Sequence, residues 1–389
     1  MTTSDYLRDT RVVVIGAGVV GAALAYRLAQ AGAAVTVVER RHAGAGASGA
    51  TFGWLNGVDK APKAYHRLNV AGIRDQEDLA DEVGGDWIHA TGTLLWADPS
   101  DAARTAALAQ TVRQLAGWGA RADRVAAADV TDGLEPDLVL PTGAQAHLVP
   151  RSGWMDALAM AHGTLAAARE RYGVTLVTGD VQGLPVADGM IDHVDLADGR
   201  TVDADLVINA AGPDAGHIAG LAGATLRVER SPGLLLISRP VPARIRHVLW
   251  GPGIHLRPDG GGRILVQWEP LDDLARDTDD PDGGLPDLRH AAVHDAMARA
   301  AALVPALGDA PPEAIRAGIR AMPFDGYPLV GFDPAIGNLY HCVTHSGITL
   351  AARLATLVTE ELTGEDPADL VPYRPDRQRA AFGEGGSRE

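Results

Sequence analysis

The sequence predicts an α/β protein, and three observations carry that prediction. Between Val12 and Glu39 a β-branched run, a glycine-punctuated helix and a second β-branched run follow one another. Further apolar strands and amphipathic helices alternate as far as Gly364. At 389 residues the chain is long enough for two domains of ordinary size and for a buried ligand.

Val12 to Ile15 reads as a buried parallel strand, Val19 to Ala31 as a helix capped by Gly32, and "AVTVVE" as the next strand. Apolar spacing from Lys60 to Val83 predicts a helix, and "TGTLLWAD" a strand. "TAALAQTVRQLAGWG" and "MDALAMAHGTLAAARERYG" predict two more helices. "VTLVTGDVQGLPV" and "ADLVINAAGP" return to β structure, and from Arg230 to Trp268 short β-rich pieces alternate with Gly and Pro turns. "LDDLARDTDDPDGGLPD" is expected to be a mobile surface loop. "HAAVHDAMARAAALVP" and "HSGITLAARLATLVTEELTG" are the last helices, and the tail "GEGGSRE" is expected to fray.

Hydrophobic residues make up 46% and charged residues 22%, which argues against overall disorder. A formal charge of -16 disfavours a nucleic-acid backbone or an anionic membrane as partner. Of 34 basic residues only Lys60 and Lys63 are lysines. The single cysteine, Cys342, leaves no intrachain disulfide and no CxxC site, so no metal is expected and a reducing compartment fits. The apolar stretch Val12 to Ala25 follows Asp5 and Asp9, is broken by glycines and is too short to span a bilayer. A cytoplasmic protein without a membrane span is expected.

Gly16, Gly18 and Gly21 form a GxGxxG between strand and helix, with Glu39 ending the second strand, which is the context a dinucleotide site requires. Glycines let the backbone approach a pyrophosphate, the helix N-terminus supplies amides, and Glu39 can accept ribose hydroxyls. Glu39 repels a 2′-phosphate, which favours FAD or NAD over NADP, although Arg40 and Arg41 stand beside it.

The next stretch, "RRHAGAGASGATFGWLN", is a run of small residues able to pass close to a long ligand. Together with the fingerprint it resembles the D-amino-acid oxidase and glycine/sarcosine oxidase family of flavoproteins. The resemblance recurs in "GDVQGL", "ADLVINAAGP", "GIRAMPFDGYPLVG" and "HSGITLAARL", in the family's order over nearly the whole chain. It implies a Rossmann-type FAD-binding domain made of residues 1–90, 145–228 and 312–389. A mostly antiparallel β substrate domain, 91–144 plus 229–311, would be inserted between those pieces. It further implies FAD contacts at Gly16, Ala17, Gly18, Val19, Val20, Gly21, Glu39, Arg40 and Arg41. Others fall at Ala47, Ser48, Thr51, Phe52, Gly53, Val181, Ala211, Gly212, Gly318 and Arg320, and at the helix start Ser346, Gly347, Ile348 and Thr349. That helix start has its own physical reason: hydride arrival makes the N1/C2 edge of the flavin ring negative, and free helix amides stabilise such charge.

Arg320 stands where family members place the arginine that grips a substrate carboxylate, the alternative being a pair with an acid such as Asp325. His345 is a candidate to bond flavin or substrate or to take the amine proton, or else a core or capping histidine. Trp54 and Asn56 follow the small-residue loop, and Tyr65, His66, Trp250, His255 and Trp268 are candidates to line the substrate cavity, with ordinary packing as the alternative for each. His341, Cys342 and His345 lie close in sequence but lack further metal ligands.

Two departures from the family stand out. No cysteine or histidine occupies the positions used for covalent flavin attachment, so FAD is expected to be non-covalent. The block "GGGRILVQWE" lacks the lysine of the sarcosine-oxidase branch, Lys60 and Lys63 are far away in sequence, and only Arg263 stands near. Oxygen or another electron acceptor therefore stays open. The expected activity is oxidation of a C–N bond of an amine, amino acid or imino acid to an imine, with hydride passing to flavin N5. An NAD-dependent dehydrogenase and a flavin-binding protein without amine oxidation are the alternatives.

Overall fold

The β-branched run at Val12 becomes the strand Arg11–Ile15, near the middle of a six-stranded sheet. The order is Leu329–Phe332, Leu339–Val343, Leu206–Asn209, Arg11–Ile15, Ala34–Glu39, Thr175–Thr178, all parallel except the first. A computed structural model describes residues 7–275 and 285–382 of the chain. Side chains alternate along each strand, so Arg11–Ile15 serves two cores. Val12 and Val14 pack against the helices Val19–Gln30, Lys63–Val83, Ala157–Tyr172 and Gly347–Leu362. Val13 and Ile15 face the small antiparallel sheet Val181–Gly183, His193–Leu196, Thr201–Asp203.

The helix expected from Lys60 begins at Lys63 instead, because Pro62 holds extended backbone at its N-cap and Pro disfavours helix in the residue before it. Lys60 is left in the turn ahead. The helix at residue 105 starts earlier, at Ala102, since the Asp101 carboxylate accepts the Arg104 amide at 3.0 Å.

The second sheet has eight strands in the order Ala314–Pro323, Val228–Ile237, Ile264–Trp268, Ile254–Pro258, Val248–Trp250, Thr93–Ala97, Gln145–Val149, Asp123–Val125. It is antiparallel except between Val248–Trp250 and Thr93–Ala97. Helix Ala291–Leu303 closes one face. Gln145–Val149 and Ala314–Pro323, drawn with the FAD-binding pieces from sequence, pair within this eight-stranded sheet. A three-stranded sheet, Trp54–Leu55, Gly153–Met155 and Ile88–His89, lies between the two large ones in the chain's path.

The acidic stretch at 271 is not loop at its start. Glu269–Leu274 is a 3-10 helix with Leu271 fully buried. Its remainder over 276–284, and the tail 383–389, lie outside the described residues. Among the described residues, no helix is long and apolar enough to cross a membrane.

Candidate active site

Four neighbouring parallel strands end on one edge of the six-stranded sheet and deliver Glu39, Gly16, Ala210 and Thr344 there. The chain continues from Arg11–Ile15 to one side and later returns on the other, so a crevice opens between the strand ends. Two glycines are obligatory. Gly16 has φ +103°, and a Cβ on it would stand 2.6 Å from the Ala210 carbonyl oxygen; a Cβ on Gly21 would stand 1.9 Å from the Gly16 carbonyl oxygen. Helix Val19–Gln30 is thereby drawn tight against the strand, with its first-turn amides facing the crevice edge.

The Glu39 carboxylate accepts the amides of Ala17 at 2.9 Å and Arg41 at 3.0 Å, leaving lone pairs for a ligand. Ser48 Oγ accepts the Val19 amide at 3.1 Å, and a Cβ on Gly18 would come within 3.1 Å of that oxygen. Arg40 is tied to Asp214 at 2.8 Å and Arg41 donates to the Ala45 carbonyl at 3.0 Å, so both arginines beside Glu39 have partners. Val181 is buried with Ile15 and Val38 under the strand ends. Ala211 leads into Gly212, which takes φ +59° and opens the turn Gly212–Asp214. Gly318 lies against Ala50 of the small-residue loop, where an added Cβ would meet the Ala50 Cβ at 2.8 Å. Beyond Ala47 that loop is stitched down by Thr51 Oγ1 accepting the Gly53 amide, by the Gly53 carbonyl accepting the Met155 amide, and by Arg257 Nε donating to the Phe52 carbonyl.

The helix Gly347–Leu362 points its N-terminus toward the same edge, and Gly347 packs near Val19 and Val20. The Thr349 amide bonds back to the Ser346 carbonyl at 3.1 Å, so Gly347 and Ile348 carry the unused amides; the Thr349 hydroxyl instead accepts the Asn56 amide at 3.3 Å. This donor set fits an FAD: first-turn amides for a pyrophosphate, a carboxylate for ribose, and a second helix N-terminus for the edge of the ring.

A stack of aromatic rings follows the small-residue loop. Trp54 stacks on Trp250 at 3.9 Å, Trp250 stacks on His255 at 3.4 Å, and Phe52 meets both Trp250 and His255 edge-on. Trp54 Nε1 donates to Thr93 Oγ1 at 2.8 Å, which fixes the first ring. His255 is buried, and burial with the nearby Arg104 charge lowers its pKa to about 3. His345 is exposed, and the surrounding protein mass, with Lys60 and Arg320 as positive neighbours, lowers its pKa to about 4. Its imidazole is neutral at pH 7. Arg320 does not pair with Asp325, which holds Arg377 at 2.8 Å; it pairs with Asp272 at 2.9 Å and donates to Ser231 Oγ and the Pro232 carbonyl.

Several sequence candidates lie elsewhere. Trp268 is the cross-strand partner of Ile254 and so shares its face, packing toward helix Ala291–Leu303 with Arg299 over its ring at 5.1 Å. His66 Nδ1 bonds the Gly57 carbonyl at 2.7 Å and its ring leans on Trp118. Asn56 does lie at the helix start, its amide on Thr349 Oγ1, but it uses its side chain to hold the local turn, accepting the Val58 amide at 3.1 Å. Arg263 pairs with Glu313 at 2.8 Å near the surface. His341 is buried between Asn209 and Asp333, and Cys342 is buried with its thiol pushed up to about 12.

Three residues were missed. Lys60, distant in sequence, reaches Ser346 Oγ at 3.0 Å, and Tyr65 Oη reaches the same oxygen at 2.8 Å. Its rarity among 34 basic residues was the available signal. Asp272 was hidden in an acidic run. Arg257 is buried among Phe52, Trp154 and Asp259, and burial lowers its pKa to about 10; nothing local marks it.

The profile of the family described as DAO, FAD dependent oxidoreductase, matches residues 11–361. An uncharacterized oxidoreductase of Bacillus subtilis is 28% identical over 93% of this chain and 98% of its own. A glycine oxidase of Pseudomonas aeruginosa is 26% identical over 94% of this chain and 98% of its own. The crystal structure of glycine oxidase from Geobacillus kaustophilus superposes with a TM-score of 0.81 at 25% identity, covering 95% of this chain and 99% of that one. The match takes in the fingerprint, the small-residue loop and the start of the last helix together. On that evidence the dinucleotide is FAD and the chain belongs to the DAO family of FAD-dependent oxidoreductases.

Proposed function

We propose that the protein oxidises the C–N bond of an amine, amino acid or imino acid to an imine, with a carboxylate-bearing substrate preferred. Bound FAD supplies the hydride acceptor. The observation that carries the reading is that His345, with the charges of Arg320 and Lys60 acting on it, stands two residues ahead of helix Gly347–Leu362, where the FAD-type donor set ends, and that Trp54, the first ring of the stack, accepts the Thr349 hydroxyl of that helix at its carbonyl at 3.4 Å. Arg320 would grip the carboxylate, exchanging Asp272 for it, and orient the carbon–hydrogen bond. His345, neutral near pH 7, would accept a hydrogen bond from the amine N–H and so favour the neutral amine, whose lone pair assists hydride departure; with a pKa of about 4 it would not keep the proton, which would pass to solvent. The stacked rings would exclude water and give the substrate an apolar wall. Tyr65 would act through Ser346 at the helix start.

The FAD contacts expected from sequence remain our assignment, with Gly347 and Ile348 supplying the free helix amides in place of Thr349. FAD is held without a covalent bond in this reading, and Cys342 is buried away as a high-pKa thiol. A single buried cysteine also goes with a reducing, cytoplasmic setting. The acceptor of the electrons is oxygen or a carrier.

Anaerobic flavin bleaching tests the reading. The purified holoprotein is exposed to glycine, sarcosine, D- and L-amino acids, proline-type imino acids and plain amines, and air is then readmitted. Bleaching by a carboxylate-bearing amine is expected, and the rate of recolouring separates an oxidase from a dehydrogenase. A flavin that no amine bleaches would overturn the proposal.

A further inference from the structure

Ser346 occupies the N-cap of helix Gly347–Leu362, yet its side chain makes no bond to the helix amides. A serine there ordinarily caps the first turn. Instead its hydroxyl is held from outside by Lys60 Nζ at 3.0 Å and Tyr65 Oη at 2.8 Å. The lysine comes from the turn that Pro62 leaves ahead of helix Lys63–Val83, and its ammonium lies 5.9 Å from the Tyr65 ring centroid. Among the described residues no carboxylate pairs with it, and the adjacent Asp59 accepts from Thr111 instead. Burial lowers the Lys60 pKa, with Asp59 pulling the other way.

This is electrostatically uphill. A helix N-terminus already carries positive potential, and here an ammonium with no carboxylate in contact is added at the N-cap, with Arg320 acting on the same His345. In a chain of net charge -16, carboxylates were abundant enough to neutralise it. A positive centre left unpaired and partly dehydrated is what a site needs where negative charge appears during reaction.

We propose that Lys60, held by Ser346 and Tyr65, supplies positive charge at the start of helix Gly347–Leu362 for the negative charge that FAD acquires when hydride arrives. The inference rests on the cofactor placement under Proposed function. Two electrons and one proton leave the substrate carbon as hydride, the substrate is left as an iminium ion, and the cofactor gains one negative charge. No bond to Lys60 forms or breaks; its ammonium acts by charge alone.

The test uses holoprotein of wild type, Lys60→Met and Lys60→Arg, and reads the two-electron potential of the flavin and its affinity for sulfite, whose adduct carries the same ring charge. In Lys60→Met the reduction equilibrium constant and the sulfite affinity are expected to fall at least about tenfold, equivalent to about 30 mV for a two-electron couple. Lys60→Arg is expected to stay near wild type. Should Lys60→Met fail to take up FAD, Lys60→Gln keeps a hydrogen bond to Ser346 without the charge and reads the same quantities. A fall of less than about tenfold in the reduction equilibrium constant and in the sulfite affinity of the neutral variants overturns the role of Lys60. That failure is distinct from the failure of the proposed activity, which shows as a wild-type flavin that no amine bleaches.

Discussion

The guanidinium of Arg320 lies 2.9 Å from the carboxylate of Asp272, and the same carboxylate accepts the Leu234 amide at 3.1 Å. The acid is thus fixed by the sheet and occupies Arg320, the group that the proposed function assigns to a substrate carboxylate. Because the pair is partly exposed, it is worth only about 0–1 kcal/mol. A substrate can displace it.

Asp272→Asn is therefore expected to lower KM for a carboxylate-bearing substrate by about two- to fivefold. Arg320→Met is expected to raise that KM by about 10- to 100-fold, the range of a lost charge-assisted hydrogen bond, while hardly affecting a plain amine. Steady-state kinetics on a matched pair, an amino acid and the amine lacking its carboxylate, checks both. Equal losses on the two substrates would rule out carboxylate recognition by Arg320.

Gly21→Ala places a methyl group where the Gly16 carbonyl oxygen already stands, 1.9 Å from the new Cβ. Backbone must move. The variant is expected to lose about 1–3 kcal/mol of stability and most of its flavin, read by thermal unfolding and by absorbance of the purified protein. Gly117→Ala, exposed on helix Ala102–Trp118 with open space around it and far in sequence from the fingerprint, serves as the control expected to keep both.

Burial holds the His255 imidazole neutral, with a pKa of about 3 against an ordinary 6.5, and its Nδ1 has no hydrogen-bond partner. The sign follows: the unfolded chain binds the proton more readily, so this group lowers stability as pH falls from 6.5 toward 3. Near pH 4.5 the loss is about 2–3 kcal/mol. In His255→Phe the acid limb of the stability curve is expected to shrink by that amount, measured by urea unfolding from pH 7 to 4.5. An unchanged acid limb would mean that the imidazole accepts its proton in place.

Trp250 and Trp268 separate two kinds of tryptophan. Trp250→Leu breaks a double stack worth about 1–3 kcal/mol and is expected to change the ranking of ring-bearing against small substrates. Trp268→Phe, on the helix-facing side, is expected to alter stability slightly and leave that ranking intact. Relative kcat/KM over a substrate series decides the matter.

The dinucleotide side of the site was legible because its chemistry is local. Gly16, Gly21 and Glu39 lie within one βαβ unit, where each spacing is set by a turn or a strand length. The substrate side depends on tertiary geometry. Trp268 and His255 lie on the same pair of strands, and only the pairing of Ile254 with Trp268 shows that they face opposite ways. Lys60 meets Ser346 across 286 residues, a contact no local pattern encodes. The start of the acidic stretch reads as loop because charge density masks Leu271, whose burial folds Glu269–Leu274 into a helical turn and presents Asp272 to Arg320.

The chain passes between the two large sheets four times, and those passages come in zipped pairs. Thr93 pairs with Val149 where the chain first enters and leaves the eight-stranded sheet, and Val228 pairs with Pro323 where it does so again. A hinge between the halves would have to bend two hydrogen-bonded ribbons at once rather than twist single strands of linker. Ligand entry and release would therefore fall to side-chain and loop movement, and under the proposed activity turnover is expected to be nearly indifferent to a cross-link that staples one sheet to the other.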